Sequence, residues 1–368
     1  MKTGRTLDEL AKEILRQKDA KRDFVADVPL LNLHSNGKSV LKIGEFAEMP
    51  LNSIAHEQLA ERVGIPKKYY DRLREESPEL LDQNVNHWFG ASAFNAKKEK
   101  VEPPSYLVRT LDGNVRALLS DKYKIMDNHE VAEAVFPVLG ALDLMILSCE
   151  ITEKNMLIKA VDKSIERDIP TGARMGQGHV IFDTLAPAIT IRTSEVGYGA
   201  LSVLTSVFTK QCTNLATFSD RSVRKYHVGA RRESIESTYE LLSDKTKALT
   251  DAAMWSQIKD VVKAAFDRAR FDALVEKIRP ATEDKIEGDV VKVVEVTAKK
   301  LSLQESERSS VLTHLIQGGD LTRYGLFNAV TRTAEDLPDY DRATEFERFG
   351  GQIIELQPSE WREISQAV

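Results

Sequence analysis

The stretch that most restricts this chain runs from Ser105 to Ser120. Ser105-Tyr-Leu-Val-Arg-Thr110 and Val115-Arg-Ala-Leu-Leu-Ser120 flank Asp112-Gly113-Asn114. Two β-rich runs around Asp-Gly form a hairpin, because glycine accepts the positive φ of a tight turn without a Cβ clash. A hairpin of this kind commits the chain to antiparallel pairing and to a covered sheet face. Leu144-Met-Ile-Leu-Ser-Cys-Glu150 and Asn155-Met-Leu-Ile-Lys-Ala-Val161 predict a second hairpin, turning at Thr152-Glu153-Lys154. Between the two lies a helix that starts near Asp127-Asn128, with an apolar stripe of Val131, Ala134, Val135, Val138 and Leu139. His179 to Thr193 reads as a strand broken near Pro187, and Gly199 to Phe218 as a small-residue helix. Hairpin, helix, hairpin, strand, helix is the order of an α+β fold: an antiparallel sheet of hairpins with helices packed on it.

The flanks are mainly helical. Leu7, Leu10, Ala11, Ile14 and Leu15 fall at helical spacing within 5–20. Short strands are expected at 29–34 and 39–43, then helices at 56–63 and 67–75 around Gly64-Ile65-Pro66. That pair has the outline of a helix-turn-helix, with Lys67, Lys68, Arg72 and Arg74 on its second helix. A short second helix stopped by Ser77-Pro78 fits a structural helical hairpin better than a DNA-reading unit. Tyr69-Tyr70 and His87-Trp88-Phe89 supply rings that either stack on bases or fill a core. Residues 97–104, charged and then Pro-rich, mark a domain edge. From Glu233 to Ile278 no Pro or Gly interrupts a helical pattern, and helices are expected at 290–301, 305–316 and 320–334, the last capped by Asp320 or Thr322. The chain therefore divides into 1–100, an α+β core at 101–232 and a mainly helical C-terminal part at 233–368.

Composition narrows the function classes. The chain has 368 residues, 42% of them hydrophobic, enough for a core without staples. Cys149 and Cys212 have no metal or redox spacing and fit buried thiols in a reducing compartment. The N-terminus has no apolar leader, and Val196 to Thr209, the longest notable uncharged run, is too short to span a bilayer. A cytoplasmic protein is expected. Asp127-Asn128-His129-Glu130 gathers potential metal ligands but also has the pattern of a helix cap. Thr171 to His179 is Gly-rich but has no Gly-Lys-Ser/Thr, so it is not a Walker loop. No HExxH or Gly-x-Ser-x-Gly appears. The sequence offers no catalytic constellation and implies no cofactor.

Charge is uneven. Of 51 basic and 57 acidic residues, 233–368 holds 18 and 26, leaving 33 and 31 in 1–232, or −8 against +2. The stripe 186–232 carries seven basic residues against Glu195 and Asp220. Arg192, Tyr198, Lys210, Asn214, Arg221, Arg224, Lys225, His227, Arg231 and Arg232 interleave cations with rings and amides. That mixture suits single-stranded nucleic acid, where cations track phosphates and rings stack on bases. Leu201, Val203, Leu204 and Val207 in the same stretch are assigned to packing.

Val115-Arg-Ala-Leu-Leu-Ser-Asp-Lys-Tyr-Lys-Ile-Met-Asp-Asn-His-Glu130 resembles the core motif of the phage/plasmid-like protein family, domain of unknown function 932. Three further stretches carry the resemblance. They are Ser194 to Ser202 running into Cys212-Thr-Asn214, then Lys225-Tyr-His-Val-Gly229, and Tyr324 to Arg332 with Arg342. Where the family has Gly after Cys-x-Asn, this chain has Leu215. The resemblance spans roughly 50–345 and implies a mobile-element protein, with no activity or catalytic residues attached. The strand-rich core followed by helix is similar, by analogy, to phage single-strand annealing proteins of the Red-beta and RecT type. The expectation is a single-stranded DNA-binding or annealing protein that forms homo-oligomers, acts in recombination or replication, and needs no nucleotide. The alternatives are a protein-binding regulatory or anti-defence factor and, third, a metal-dependent nuclease using Asp127, His129 and Glu130.

Overall fold

A computed structural model describes residues 1–45, 47–174, 178–210, 213–218 and 244–368. Its architecture is α+β, with antiparallel sheets and a helical C-terminal part. The chain begins with helix α1 (Leu7–Ala20), where Thr6 and Glu9 form a reciprocal capping box. Then come β1 (Arg22–Asp27), β2 (Leu31–Ser35), β3 (Ser39–Ile43) and β4 (Ala47–Pro50). Three helices follow: α2 (Ser53–Arg62), α3 (Lys67–Glu76) and α4 (Pro78–Ala91). The predicted Asp112-Gly113 hairpin is β5 (Ser105–Leu111) and β6 (Asn114–Ser120), and β1 adds to its edge. Val108, Val115 and Leu118 share one apolar core with Leu33, Leu41, Tyr70 and Phe89. The core of the first hundred residues thus continues through residue 120, because its sheet is completed by this hairpin.

Helix α5 (Asn128–Ala141) leads to the large sheet. Its strands are β7 (Met145–Ile151), β8 (Met156–Val161), β9 (Arg167–Arg174), β10 (Val180–Thr193), β11 (Ser202–Thr209) and β12 (Asn214–Thr217). They lie in the order β12-β11-β10-β8-β7, with β9 also on β10. The expected break at Pro187 does not occur. β9 pairs with β10 up to Leu185 and β8 from Ala188 onward, so the missing N–H falls in the gap between two partners. The expected helix at 199–218 is a strand pair instead. Val203, Thr205, Val207 and Thr209 recur every second residue, a β-branched period that outweighs the small-residue content.

Alternation divides the two faces of this sheet. Cys149, Ile158, Ala160, Ile189, Ile191 and Val203 face one way, under α1, α5 and a helix α6 (Asp244–Ala264). The other face presents Ser148, Lys159, Thr190, Ser206 and Thr217, all buried. The C-terminal helices are α7 (Arg268–Ile278), α8 (Val290–Leu301), α9 (Glu305–Gly318), α10 (Arg323–Thr333), α11 (Tyr340–Ile354) and α12 (Pro358–Ser365). The uninterrupted pattern of 233–278 is therefore two helices in its described part, separated where Asp267 caps α7 through Arg270 N–H at 3.0 Å. Residues 233–243 lie outside the described residues. Of the two caps expected for α10, Thr322 is the one used: its Oγ1 accepts from Gly325 N–H at 3.2 Å.

Helix α11 lies against β12 through Gly351, where an added Cβ would collide with the Thr217 carbonyl oxygen. Gly351→Ala is expected to lower stability by about 1–3 kcal/mol through overpacking. An unchanged urea midpoint would show that the helix has room to shift.

Candidate nucleic-acid interface

A groove of about 720 Å³ opens on the N-terminal unit. Its wall brings together Arg62 at the end of α2, Trp88 on α4, Phe94 and Lys98 after it, and Tyr106 on β5. The position of α4 is set by two polar clamps on β2. Asn86 accepts from Leu33 N–H at 2.7 Å and donates to Leu33 O at 2.8 Å, while Asp82 accepts from Ser35 N–H at 2.7 Å. Leu81, Val85 and Phe89 then point into the core, and Trp88 is left 50% exposed. Phe94 is 53% exposed. Two large rings in one groove are an unusual use of apolar surface, and such patches mark binding sites.

The loop beyond α4 is built around Asn95. Asn95 Oδ1 accepts from Lys97 N–H at 2.9 Å and Glu99 N–H at 3.0 Å, and Asn95 Nδ2 donates to Glu99 at 2.9 Å. This turn holds Lys98 at φ +61°. The ammonium groups of Lys97, Lys98 and Lys100 make no ion pair among the described residues. Arg62 donates from Nε to Leu118 O at 2.8 Å, and its guanidinium lies 4.6 Å from the Tyr106 ring centre. Burial pushes the Tyr106 phenol up, with Arg62 opposing, so it stays a neutral donor near pH 7. No carboxylate, histidine or cysteine lines the groove among the described residues. Rings beside cations, with no carboxylate to repel a phosphate, can hold a polyanion of planar bases.

The residues expected from the basic stripe fare differently. Arg192 is half-buried on β10 and donates from Nε to Asn155 Oδ1 at 2.9 Å. Tyr198 donates to Glu57 at 2.6 Å, under the Lys154 ammonium. Lys210 pairs with Glu166 at 3.1 Å. Asn214 is fully buried and donates to Asn328 O at 3.2 Å, so it belongs to the interior and not to a ligand face. Arg192 pairs across from Ser202, eight residues from Lys210, which at ~3.3 Å per residue separates the two by roughly 25 Å. These four do not form one open face. Arg221, Arg224, Lys225, His227, Arg231 and Arg232 lie outside the described residues.

The Asp127-to-Glu130 run is a cap. Glu130 accepts from Asp127 N–H at 2.8 Å. Asp127 is gripped by Lys21 and by Arg109, the latter at 2.6 Å. Burial raises its carboxyl, but these two cations outweigh burial and hold it at about 2. No group of three metal-ligating side chains occurs among the described residues. Glu195 ties the motif stretches together: it accepts from Asn128 N–H at 2.6 Å and pairs with Arg116. Arg109 donates to the Glu195 carbonyl at 2.9 Å. These residues build the joint between the hairpin and the large sheet.

The α2–α3 pair is a helical hairpin in which Gly64 at φ +69° makes the turn. Of its cations, Lys67 and Arg72 pair along their own helix, with Asp71 and Glu76, while Arg74 stands 3.7 Å from Asp71. His56 of α2 is 6% exposed. Burial first, then Arg74 and Lys67 against Asp71, brings it down to about 4. An unfolded His titrates near ~6.5, so between these values the unfolded chain binds the extra proton. Stability is expected to fall as pH drops from about 6.5 towards 4, by up to about 3 kcal/mol. Denaturant midpoints that stay level across that window would refute it.

No family model matches the chain, and no curated protein or solved structure matches it. Among the described residues, no helix is long and apolar enough to cross a membrane.

Proposed function

We propose that this chain binds single-stranded DNA through the Trp88 groove, as an annealing or protecting protein of a phage or other mobile element. The observation that supports this most is the pair of exposed rings, Trp88 and Phe94, in one groove with Arg62 and Lys98, neither of which has a carboxylate partner among the described residues. Unstacked bases lie on rings at about 1–3 kcal/mol each, while cations hold the phosphates between them. A duplex hides its base faces, so the groove selects single strands. No nucleotide is required, since annealing draws its free energy from base pairing. Membership of the phage/plasmid-like family is part of this proposal. So is oligomerisation through the helical C-terminal part.

The test is polarisation binding of a labelled oligonucleotide across a salt series. Two neutralised phosphates give a log–log slope of about −1.4 for a single strand. A duplex of the same sequence is expected to bind more weakly. A flat salt response, or equal affinity for both forms, refutes the reading.

A further inference from the structure

A second cavity, of about 420 Å³, opens on the same unit, between the β2–β3 turn and the start of α4. It is bordered by Ser35, Lys38, Ser39, His56, Arg74 and Glu75. The turn Asn36-Gly37 places Lys38 at the rim, with Gly37 at φ +77°. Lys38 makes no ion pair among the described residues. Arg74 is half-buried, and its one carboxylate contact among the described residues is Asp71 at 3.7 Å, beyond hydrogen-bond reach. The two serines are turned inward: Ser35 donates to Asp82 at 2.9 Å and shares a 3.1 Å bond with Ser39. They hold the wall and leave the cations to face the cavity.

His56 completes the arrangement. Its Nδ1 lies 2.8 Å from the Tyr70 hydroxyl, and its Nε2 has no protein partner among the described residues. Burial keeps the Tyr70 phenol protonated. When Tyr70 donates to Nδ1, the imidazole proton resides on Nε2, where it is a donor. Two cations and one neutral N–H in the lining of a polar cavity, against the single carboxylate of Glu75, match the oxygens of a phosphate group.

We propose that this cavity binds a phosphate monoester through Lys38, Arg74 and His56 Nε2. The phosphate is either the terminal phosphate of a nucleic-acid strand or that of a small phosphorylated molecule. The site is separate from the Trp88 groove and does not depend on it. The groups around His56 are Lys67, Asp71, Arg74 and Glu75 of α3, Tyr70 beside them, Asp82 of α4 and Lys38 of the turn. Bound phosphate adds negative charge on the cationic side of this set and therefore favours protonated imidazole.

The experiment is a titration of the full chain with inorganic phosphate at constant ionic strength, followed by the side-chain 15N resonances of His56. The expected result is a saturable shift with a raised His56 titration midpoint. Lys38→Gln and Arg74→Gln, both at accessible positions, should each weaken binding about ten- to a hundredfold, the size of a lost charged hydrogen bond. Trp88→Ala should leave the phosphate titration unchanged, which separates failure of this site from failure of the groove. Oligonucleotides of one sequence with 5′-phosphate and 5′-hydroxyl distinguish the sources. Preference for the phosphorylated end assigns the site to strand termini, and equal affinity alongside phosphate binding assigns it to a small molecule. Resonances that do not move with phosphate, or that move equally in both variants, overturn the proposal.

Discussion

Lys159→Met is expected to lower the unfolding free energy by about 3–5 kcal/mol, the largest loss foreseen for any single replacement. Lys159 and Glu347 are both fully buried, 2.8 Å apart, one on β8 and the other on α11. The Lys159 ammonium also lies 4.6 Å from the Tyr340 ring centre. Glu347 already has one oxygen without a hydrogen-bond partner among the described residues, so removing Lys159 abandons a carboxylate in the interior. The double replacement Lys159→Met with Glu347→Met is expected to recover most of the loss, because an apolar pair needs no mutual charge. Urea unfolding measures both. A single variant no worse than the exposed Arg72→Ala would mean that water reaches the pair.

The second large effect concerns binding. Trp88→Ala should weaken single-stranded DNA binding by about five- to 150-fold, the equivalent of about 1–3 kcal/mol for one stacked base. Its stability should change little, since half of the side chain is in solvent. Lys98→Gln should act otherwise, reducing the salt slope by about 0.7 while stacking persists. Fluorescence follows the first prediction as the quench that Trp88→Ala removes: a base on the exposed indole quenches it, whereas Trp361 is buried and Trp255 half-buried against the core. Unchanged affinity in Trp88→Ala, with binding abolished when Arg221, Arg224 and Lys225 become Glu, would move the interface to the basic stripe.

The contrast between these two sites shows where local signals stop. The Asp112-Gly113 turn, the Asp127 cap and the stripe of α5 are legible because each signal lies within a few residues of what it controls. Gly199 to Phe218 misleads because small residues suit either state; the β-branched period from Val203 to Thr209 favours a strand, and the sheet partners on both sides of β11 fix it. Residues 97–104 read as a domain edge, yet Asn95 folds the start of that stretch into a turn that presents Lys98. Trp88 stands out as a ring that could stack, but nothing near it in the chain marks whether it faces core or solvent.

Turn chemistry, caps and apolar periods were sufficient to set the α+β class and most of the helices and hairpins, since these depend on neighbours in the chain. The groove and the Lys159–Glu347 pair belong to another order of contact. Arg62, Trp88, Lys98 and Tyr106 stand on separate elements, and Lys159 meets a carboxylate 188 positions away. Such meetings are governed by how the layers pack, because packing alone determines which distant side chains lose water together.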